Sequence, residues 1–302
     1  MTIEHLDLAD SALHVRSTVP HRLDRRLLAG QRGAVSYTSV PGVSVDLTGN
    51  VLELRLARPE RRNAMDDTMT AGLIEAIDTA GRDEDVRAIV LRSAGDDFCS
   101  GFDLLGRNAP RERRPRVGSI QRRLPSEVNR LIPLMCSVQV PIVCAVRGWA
   151  IGLGLNLALA ADFAIAADDA RFWAPFVARG FTPDSAGTWL LPRRVGAVRA
   201  REMLELDRVV TGAEAAEWGM IHRAVPPGAL DGAVDELAAH LASGPTVALG
   251  LTKWLVHAGG QTTLDDHLHN EAFAHELAGR SEDARAAAGL EPDAAPPPFA
   301  GR

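Results

Sequence analysis

The sequence predicts an α/β fold in which buried strands alternate with helices. Three short apolar runs have the length and composition of buried strands, and they lie at residues 88–93, 143–146 and 163–166. Longer segments separate them along the chain. Because neighbouring parallel strands need long crossover connections that are usually helical, this repeated order predicts a mostly parallel sheet.

A hairpin and an amphipathic helix precede these strands. Residues 43–47 and 51–56 flank a Thr48-Gly49-Asn50 turn, which is typical of a β-hairpin. Apolar side chains then recur every four residues along one face of a predicted helix, at Met65, Met69, Leu73 and Ile77. Asp66 and Asp67 stand in its first turn, where the helix dipole favours negative charge.

The chain divides into three predicted parts. Residues 1–42 form an N-terminal extension without clean periodicity, residues 43–195 form the core, and residues 196–302 form a helical C-terminal region with a tail. Helices of this last part are predicted at residues 198–206, 213–219, 230–241 and 247–258. The Ala- and Pro-rich tail from Ala286 is expected to be ordered only at its last residues.

Composition narrows the class of function. The 302 residues, 46% hydrophobic and 24% charged, suit a soluble globular protein with one large core. A net charge of −6 argues against nucleic acid as a partner. The longest apolar stretch, residues 150–161, contains Asn156 and is too short to cross a bilayer, so a buried helix is expected there and no membrane partner.

Cysteine usage indicates a reducing compartment. Cys99, Cys136 and Cys144 are odd in number and lack metal-ligand spacing, so small apolar core residues are expected and no metal site. The extension has no apolar segment after a basic start, which argues against a signal peptide and favours the cytoplasm. Its arginines leave a mitochondrial presequence open, although its acidic residues count against one.

A glycine-rich turn at the head of an apolar helix is the most informative segment. It runs from Gly148 to Asp162 and contains Gly152-Leu153-Gly154. Backbone N–H groups in a first helical turn have no partner in the helix, and they point the same way as the positive end of its dipole. The turn at Gly101-Phe102 could bring a second N–H beside that of Leu153. Two such donors predict an oxyanion hole.

Several segments, in this order, resemble the crotonase family of enoyl-CoA hydratases and isomerases. They lie at residues 58–65, 100–104, 140–148, 148–162 and 211–220, and the resemblance spans about 43–258. The closing residues Pro298 to Arg302 also look like a tail of this family. The resemblance implies a spiral of stacked ββα units followed by helices, and a homotrimer or a dimer of trimers.

The resemblance also implies a substrate. Family members bind acyl-CoA thioesters and hold a thioester enolate between two backbone N–H groups, here those of Phe102 and Leu153. No cofactor beyond the CoA of the substrate is expected, and a place in fatty acid metabolism follows. CoA contacts are assigned to Arg62, Ala64 and Ser100. The arginine-rich loop at 106–118 either contacts CoA phosphates or is solvated surface.

The acid–base groups depart from the hydratase pattern. Hydratases of the family use two glutamates to hold and activate water, and alignment of the two motifs places those positions at Asn156 and Phe176. Asn156 can form hydrogen bonds but cannot accept a proton at useful pH, and Phe176 can do neither. Phe176 is therefore expected to be part of the pocket wall.

Asp184 is the acid that a reaction could still use. The run from Pro183 to Pro192 looks like the ring-1,2-epoxyphenylacetyl-CoA isomerase branch of the family, in which isomerases carry an aspartate at this place. In an apolar pocket of Phe176, Phe181 and Trp189, desolvation would raise its pKa toward a range useful for proton transfer. The alternative is structural, because Asp followed by Ser at a helix start is a common N-cap.

Other polar residues receive structural assignments. Asp103 is expected to brace the oxyanion turn, Asp162 and Asp168 to end strands or loops, Glu127 to lie on a solvated helix or to face the acyl chain, and His222 to precede a strand. Ser100 has no His or acid at a triad spacing, which argues against a hydrolase.

The sequence thus favours double-bond isomerisation of an acyl-CoA with Asp184 as the proton carrier. Two alternatives stay open: an enoyl-CoA hydratase, and a catalytically silent protein that binds acyl-CoA. The direction of the Asp184 side chain, toward the thioester or onto its own helix, separates them.

Overall fold

The computed structural model describes residues 35–103, 116–124, 128–291 and 294–302. The strands are β1 (Val43–Thr48), β2 (Val51–Leu56), β3 (Ala88–Ser93), β4 (Ile142–Val146), β5 (Trp149–Ile151), β6 (Phe163–Ala167), β7 (Arg171–Trp173), β8 (Val210–Thr211) and β9 (Arg223–Val225). The helices are α1 (Asp67–Ala80), α2 (Ser119–Arg123), α3 (Val128–Ser137), α4 (Leu153–Ala160), α5 (Gly187–Glu205), α6 (Gly212–Glu217), α7 (Leu230–Ser243), α8 (Thr246–Gly259), α9 (Leu264–Gly279) and α10 (Glu282–Ala287).

The main sheet has six strands in the order β1-β2-β3-β4-β6-β9. The predicted hairpin is confirmed, since β1 and β2 pair antiparallel around the turn, and the other neighbours pair parallel. Every residue of β3 and β4 is buried. Parallel strands covered on both faces are expected to be apolar throughout, which is why these runs were visible in the sequence.

A second, smaller sheet has the order β5-β7-β8. The chain passes from β4 to β5, through α4, back to β6 in the main sheet, and on to β7 in the small sheet. Each circuit thus contributes one strand to each sheet, and this is the predicted spiral of ββα units.

The predicted helix at residues 150–161 is wrong at its beginning. Ala150 lies in β5, where Trp149–Ile151 pairs with β7 on one side and Cys99 pairs with Ala150 on the other. The helix begins only at Leu153, because Gly152 adopts φ 55° and ψ −111°, which breaks the chain direction between strand and helix. Gly152 marks a turn in the sequence, but the apolar segment before it is too short for periodicity to distinguish a strand from a helix.

The amphipathic helix is confirmed as α1. The Asp66 side chain caps it by accepting a hydrogen bond from Met69 N–H at 2.9 Å. The predicted stripe of Met65, Met69, Leu73 and Ile77 is at most 1% exposed. This face packs against the hairpin and α3.

The C-terminal half is helical, as predicted, with different bounds. The helix expected at 198–206 starts earlier, at Gly187, and is interrupted at Gly196 (φ 74°, ψ 166°), where the predicted core boundary falls. Helices α9 and α10 were not predicted. The last residues dock onto α10, since the Asp283 carboxylate accepts hydrogen bonds from Ala300 N–H and Gly301 N–H at 2.7 and 2.9 Å. No helix in the described ranges is long and apolar enough to cross a bilayer.

Lys253, the single lysine of the chain, forms a buried ion pair with Asp162. Its Nζ lies 2.7 Å from Asp162 Oδ2, and it also donates to Val140 O at 3.2 Å. Asp162 accepts a further hydrogen bond from Ile142 N–H at 2.7 Å, so the pair joins α8 to the start of β4 and the end of α4. Burial raises the pKa of Asp162 and lowers that of Lys253, and their mutual attraction opposes both shifts.

Replacing Lys253→Met should lower the free energy of unfolding by about 3–5 kcal/mol at pH 8, because it leaves a buried carboxylate without its cation. Burial without a cation raises the pKa of Asp162 in the variant, so the variant loses stability as pH rises through that pKa. The difference in stability between wild type and variant should therefore shrink toward pH 5. Urea unfolding at both pH values measures it. The double variant Lys253→Met with Asp162→Asn keeps an acceptor for Ile142 N–H and should recover most of the loss; equal stability of the single variant and wild type would contradict this account.

Candidate active site

The turn from Cys99 to Asp103 lies between two other chain segments. On one side Cys99 N–H donates to Trp149 O at 2.9 Å and Ile151 N–H donates to Cys99 O at 2.8 Å. On the other side Met65 N–H donates to Gly101 O at 2.8 Å. Hydrogen bonds on both sides therefore fix the direction of the peptide that precedes Phe102.

The head of α4 lies directly beside this turn. Gly152 N–H donates to Trp173 O at 2.9 Å, and α4 begins at Leu153 without a side-chain cap. A Cβ placed on Gly101 would lie 2.9 Å from Ile151 O and 3.7 Å from Leu153 N. The structure thus brings the Gly101-Phe102 peptide next to the first N–H of α4, as the sequence predicted, at the positive end of the helix dipole.

Glycines permit this close approach. A Cβ on Gly154 would lie 2.3 Å from Cys99 O and 2.8 Å from Cys99 Cβ, and a Cβ on Gly148 would lie 2.2 Å from Asp96 O. Gly101 also has φ 90°, a conformation that favours glycine. The backbone of α4 can therefore touch the Cys99 turn only because side chains are absent there.

Arg58 braces the oxyanion turn. Its Nη2 lies 3.2 Å from Asp103 Oδ2, and its Nη1 donates to Ala64 O and to Asp66 Oδ2, both at 3.0 Å. Asp103 is 8% exposed, and this ion pair agrees with the bracing role expected for it. No role was predicted for Arg58 from the sequence, although Arg58 is the first residue of the segment 58–65 that resembles the family.

Asn63 is a second residue that the sequence analysis missed. It is fully buried with φ 53°, accepts a hydrogen bond from Arg58 N–H, and donates to Ala94 O and Asp97 O, each at 2.8 Å. An asparagine tolerates this left-handed conformation better than most residues. It ties the segment after β2 to the loop after β3.

The three residues assigned to CoA lie together on these loops. Ser100 N–H donates to Arg62 O at 3.0 Å, and its hydroxyl donates to Arg61 O at 3.3 Å. The Arg62 side chain is 67% exposed, with Nε 3.6 Å from Asp97 Oδ2, and Ala64 lies in the same turn. Arg62 is thus a cation at the surface beside the oxyanion turn. Most of the arginine-rich loop predicted at 106–118 lies outside the described residues, at 106–115.

The two glutamate-equivalent positions have different surroundings. Asn156 is 1% exposed, and its Nδ2 donates to Asp184 O at 3.2 Å. Phe176 is half-buried, and its ring carbon Cζ lies 3.5 Å from where a Cβ would stand on Gly152. The ring therefore covers the turn before Leu153, in the place expected for a pocket wall.

Asp184 does not cap its own helix. The N-cap of α5 is Ala186, and no side chain caps this end. The Asp184 carboxylate instead accepts a hydrogen bond from the Ser185 hydroxyl at 3.0 Å, while its carbonyl accepts one from Gly187 N–H at 3.1 Å. The structural alternative from the sequence, an aspartate N-cap, is therefore wrong.

The backbone that follows Asp184 is strained. Ser185 and Ala186 have φ of 50° and 68°, a left-handed conformation that costs about 1–2 kcal/mol for each residue with a Cβ. Such strain persists only where surrounding contacts hold it, and it is common at functional sites. Ser185 is 4% exposed, and its neighbours Asp184 and Ala186 in the turn are half-buried.

Phe181 and Trp189, the two other residues predicted to line the pocket, have surroundings unlike those of Phe176. Phe181 is 63% exposed in the single chain. Trp189 is half-buried between the Arg193 guanidinium, 3.9 Å from the ring centroid, and the His257 ring, 5.6 Å away. The Trp189 ring therefore lies between Arg193 of its own helix, α5, and His257 of α8.

The remaining candidates have structural surroundings. Asp168 is exposed in the turn after β6, and the His222 ring packs edge-on against Phe163 just before β9. Glu127 lies outside the described residues. In the part of the chain that the structure describes, no cluster of His, Cys, Asp and Glu could hold a metal ion.

All three cysteines are buried and free. Burial raises the pKa of Cys99 to about 12 and also raises the pKa of Cys144, so both stay protonated thiols at neutral pH. They behave as the apolar fillers that the sequence predicted.

The family to which the chain belongs, shown by the match that follows, is a class of enzymes that transform acyl-CoA thioesters. The model of the enoyl-CoA hydratase/isomerase family matches residues 46–292, and the chain belongs to this family. The match ends 34 residues beyond Ala258, the end of the resemblance seen in the sequence, and so includes α9 and α10.

Individual relatives are similar over most of the chain. The chain is 40% identical over 236 residues to the 1,2-epoxyphenylacetyl-CoA isomerase of Escherichia coli, covering 78% of this chain and 89% of that protein. It is 37% identical to a probable enoyl-CoA hydratase of Rhodobacter capsulatus, covering 86% and 98%. The enoyl-CoA hydratase structure from Bacillus anthracis superimposes with a TM-score of 0.79 at 27% identity, covering 86% of this chain and all of that one.

Replacing Gly154→Ala should move the Leu153 N–H of α4 away from the Phe102 N–H of the Cys99–Asp103 turn. The new Cβ would meet backbone atoms of Cys99, which no rotamer change can relieve. We expect a loss of about 1–3 kcal/mol in stability and a rise of about tenfold in the acyl-CoA dissociation constant, the equivalent of one strong hydrogen bond. Thermal unfolding and calorimetric titration with crotonyl-CoA measure both.

Gly232→Ala is the matched control, because Gly232 lies exposed in α7 and its new Cβ would have nothing within 4 Å. It should bind like wild type and be equally or more stable. Wild-type stability and affinity in Gly154→Ala would show that the contact of α4 with Cys99 does not set the site.

Proposed function

We propose that this enzyme isomerises a double bond in an acyl-CoA thioester, with Asp184 as the group that carries the proton. Asp184 removes a proton from the α or γ carbon, and the electrons of that C–H bond move into the thioester to give an enolate. The Phe102 and Leu153 N–H groups stabilise the enolate oxygen. The proton then returns to the other carbon, so the double bond moves and no electron acceptor is consumed.

The observation that carries this proposal is the placement of Asp184. It precedes α5 in a strained turn, its carboxylate does not cap the helix, and its carbonyl accepts a hydrogen bond from Asn156 of the oxyanion helix. An aspartate that only capped α5 would need none of this. The Escherichia coli relative named as an isomerase supports the same reaction type.

Hydration is the second candidate, and the family membership and the Rhodobacter capsulatus relative favour it. Against it stand Asn156, whose amide donates to a backbone carbonyl, and Phe176, whose ring covers Gly152. Neither side chain can take a proton from water. A silent acyl-CoA-binding protein is the third candidate, and proton exchange tests it directly.

The proposed reaction uses no cofactor, because proton transfer within the substrate needs only the CoA thioester itself. We further propose a cytoplasmic homotrimer or dimer of trimers. The support is the exposed apolar surface that α9 leaves on the single chain, at Leu264, Leu268, Phe273 and Leu277, together with three free buried thiols.

Replacing Asp184→Asn should abolish proton transfer while preserving the substrate site. The side chain keeps its size and an oxygen that can accept the Ser185 hydroxyl bond, but it can no longer accept a proton. We expect acyl-CoA affinity within a few-fold of wild type, and exchange of α or γ protons with deuterated water reduced by roughly 10²-fold or more. Mass spectrometry of β,γ-hexenoyl-CoA measures the exchange.

The control for this variant is Asp168→Asn, which neutralises an exposed aspartate in the turn after β6. It should exchange at the wild-type rate. Unchanged exchange in Asp184→Asn would overturn the proposed role, and no exchange in wild type with any acyl-CoA would favour the silent binder.

Hydration of crotonyl-CoA should be weak. Each missing acid–base group typically contributes roughly 10²–10⁴-fold, and both glutamate positions lack one. We expect a turnover far below about 10 s⁻¹, an ordinary enzyme value, in a spectrophotometric assay of the enoyl chromophore. A rate of that order or above would mean that another carboxylate activates water, and the hydratase candidate would then replace the isomerase.

A further inference from the structure

The Asn156 side chain is enclosed between α4 and the turn that precedes α5. It is 1% exposed, and its Nδ2 donates to Asp184 O at 3.2 Å. A Cβ on Gly187 would lie 3.1 Å from Asn156 Oδ1 and 3.3 Å from Nδ2, so the first residue of α5 packs directly on the amide. Asn156 therefore bonds to the Asp184 turn through Nδ2, and its amide faces Gly187, where a side chain would crowd it.

The turn that receives this hydrogen bond is strained at the next two residues. Ser185 and Ala186 are left-handed, and regular helix begins only at Gly187. The Asp184 carbonyl accepts both Gly187 N–H, within the turn, and Asn156 Nδ2, from another helix. The hydrogen bond from Asn156 attaches the turn to α4.

Helix α4 also carries the N–H that we assign to the oxyanion. Leu153 is its first residue, and Asn156 lies three residues later, which is less than one helical turn and a rise of about 4.5 Å. A helical segment this short is stiff. This single turn of α4 therefore fixes the position of the Asp184 backbone relative to the Leu153 N–H.

We infer that Asn156 is a positioning residue, which fixes Asp184 at the distance from the Leu153 N–H that proton transfer requires. This inference rests on the proposed function. Asn156 stands where hydratases carry a glutamate, and it serves differently there, because it donates to a backbone carbonyl and holds the acid that replaces that glutamate. The predicted effect is on the rate of proton transfer and hardly on substrate binding.

A second contact between the same helices supplies a control. Arg194 of α5 donates from Nη2 to Leu159 O at 3.0 Å and to Ala161 O at 3.1 Å, at the opposite end of α4. Asn156 therefore joins α4 to the turn before α5, and Arg194 joins it to α5 itself, each by a side-chain donor and a backbone carbonyl. Only Asn156 does so at Asp184, so the two variants separate local positioning from general loosening of the helix pair.

The test compares Asn156→Leu with Arg194→Met. Leucine has the same number of side-chain heavy atoms as asparagine but no donor. We expect exchange of the α or γ protons of β,γ-hexenoyl-CoA to fall about 10–100-fold in Asn156→Leu, since a misplacement of about 1 Å can cost 10²-fold. Its affinity for the thioester should stay within a few-fold of wild type. Arg194→Met should lose no more than about threefold in exchange when the two variants are assayed at the same interval below their melting temperatures.

A pH profile distinguishes positioning from packing. Asn156→Asp preserves the shape, and burial raises the pKa of the new carboxyl, so at low pH its proton can be donated to Asp184 O. Above that pKa the carboxylate has no donor for this carbonyl. The exchange deficit relative to wild type should therefore shrink as pH falls, whereas the deficit of Asn156→Leu should not vary with pH.

The outcomes are separable from those of the proposed function. If Asp184→Asn loses exchange but Asn156→Leu exchanges like wild type, the positioning inference fails and the proposed function stands. Equal losses in Asn156→Leu and Arg194→Met, or a pH-independent deficit in Asn156→Asp, would also overturn the inference. If Asp184→Asn exchanges normally, the proposed function itself is wrong.

Discussion

The contact between the head of α4 and the Cys99 turn is the constraint on which the rest of the site depends. Two backbones meet there without intervening side chains, because any Cβ on Gly154 would overlap Cys99 O. The contact aligns an N–H at the end of a helix dipole with one in an extended turn. Fixed donors of this kind cost no reorganisation when charge develops.

Other side chains hold the segments on either side of this contact. Arg58 and Asn63 hold the loops on one side of this contact, and Asn156 joins α4 to the turn at Asp184 on the other. The fold therefore permits a change of reaction by substitution around a constant oxyanion turn. In this chain the two glutamate positions carry an amide and a ring, and a carboxylate stands elsewhere on the same helical framework.

The sequence predicted the parts of the fold that depend on local pattern, and missed those that depend on distant contacts. Buried strands such as β3 and the stripe on α1 are visible because periodicity and composition follow burial. The strand β5 was hidden inside an apolar run, since only the conformation of Gly152 ends it. The oxyanion turns came from motifs, whereas the Asn156 bond to Asp184 joins residues 28 apart and has no local signal.

Lys253 has a consequence for chemistry with thioesters. Acyl-CoA compounds are acylating agents, and exposed amines of a protein that binds them are the nucleophiles they modify. This chain has one lysine, whose side chain is 8% exposed and whose amine is held by Asp162 and Val140 O. Its basic surface is otherwise built from arginine, which stays protonated and is a poor nucleophile. The single side-chain amine that this chain could offer to a thioester is therefore buried and ion-paired.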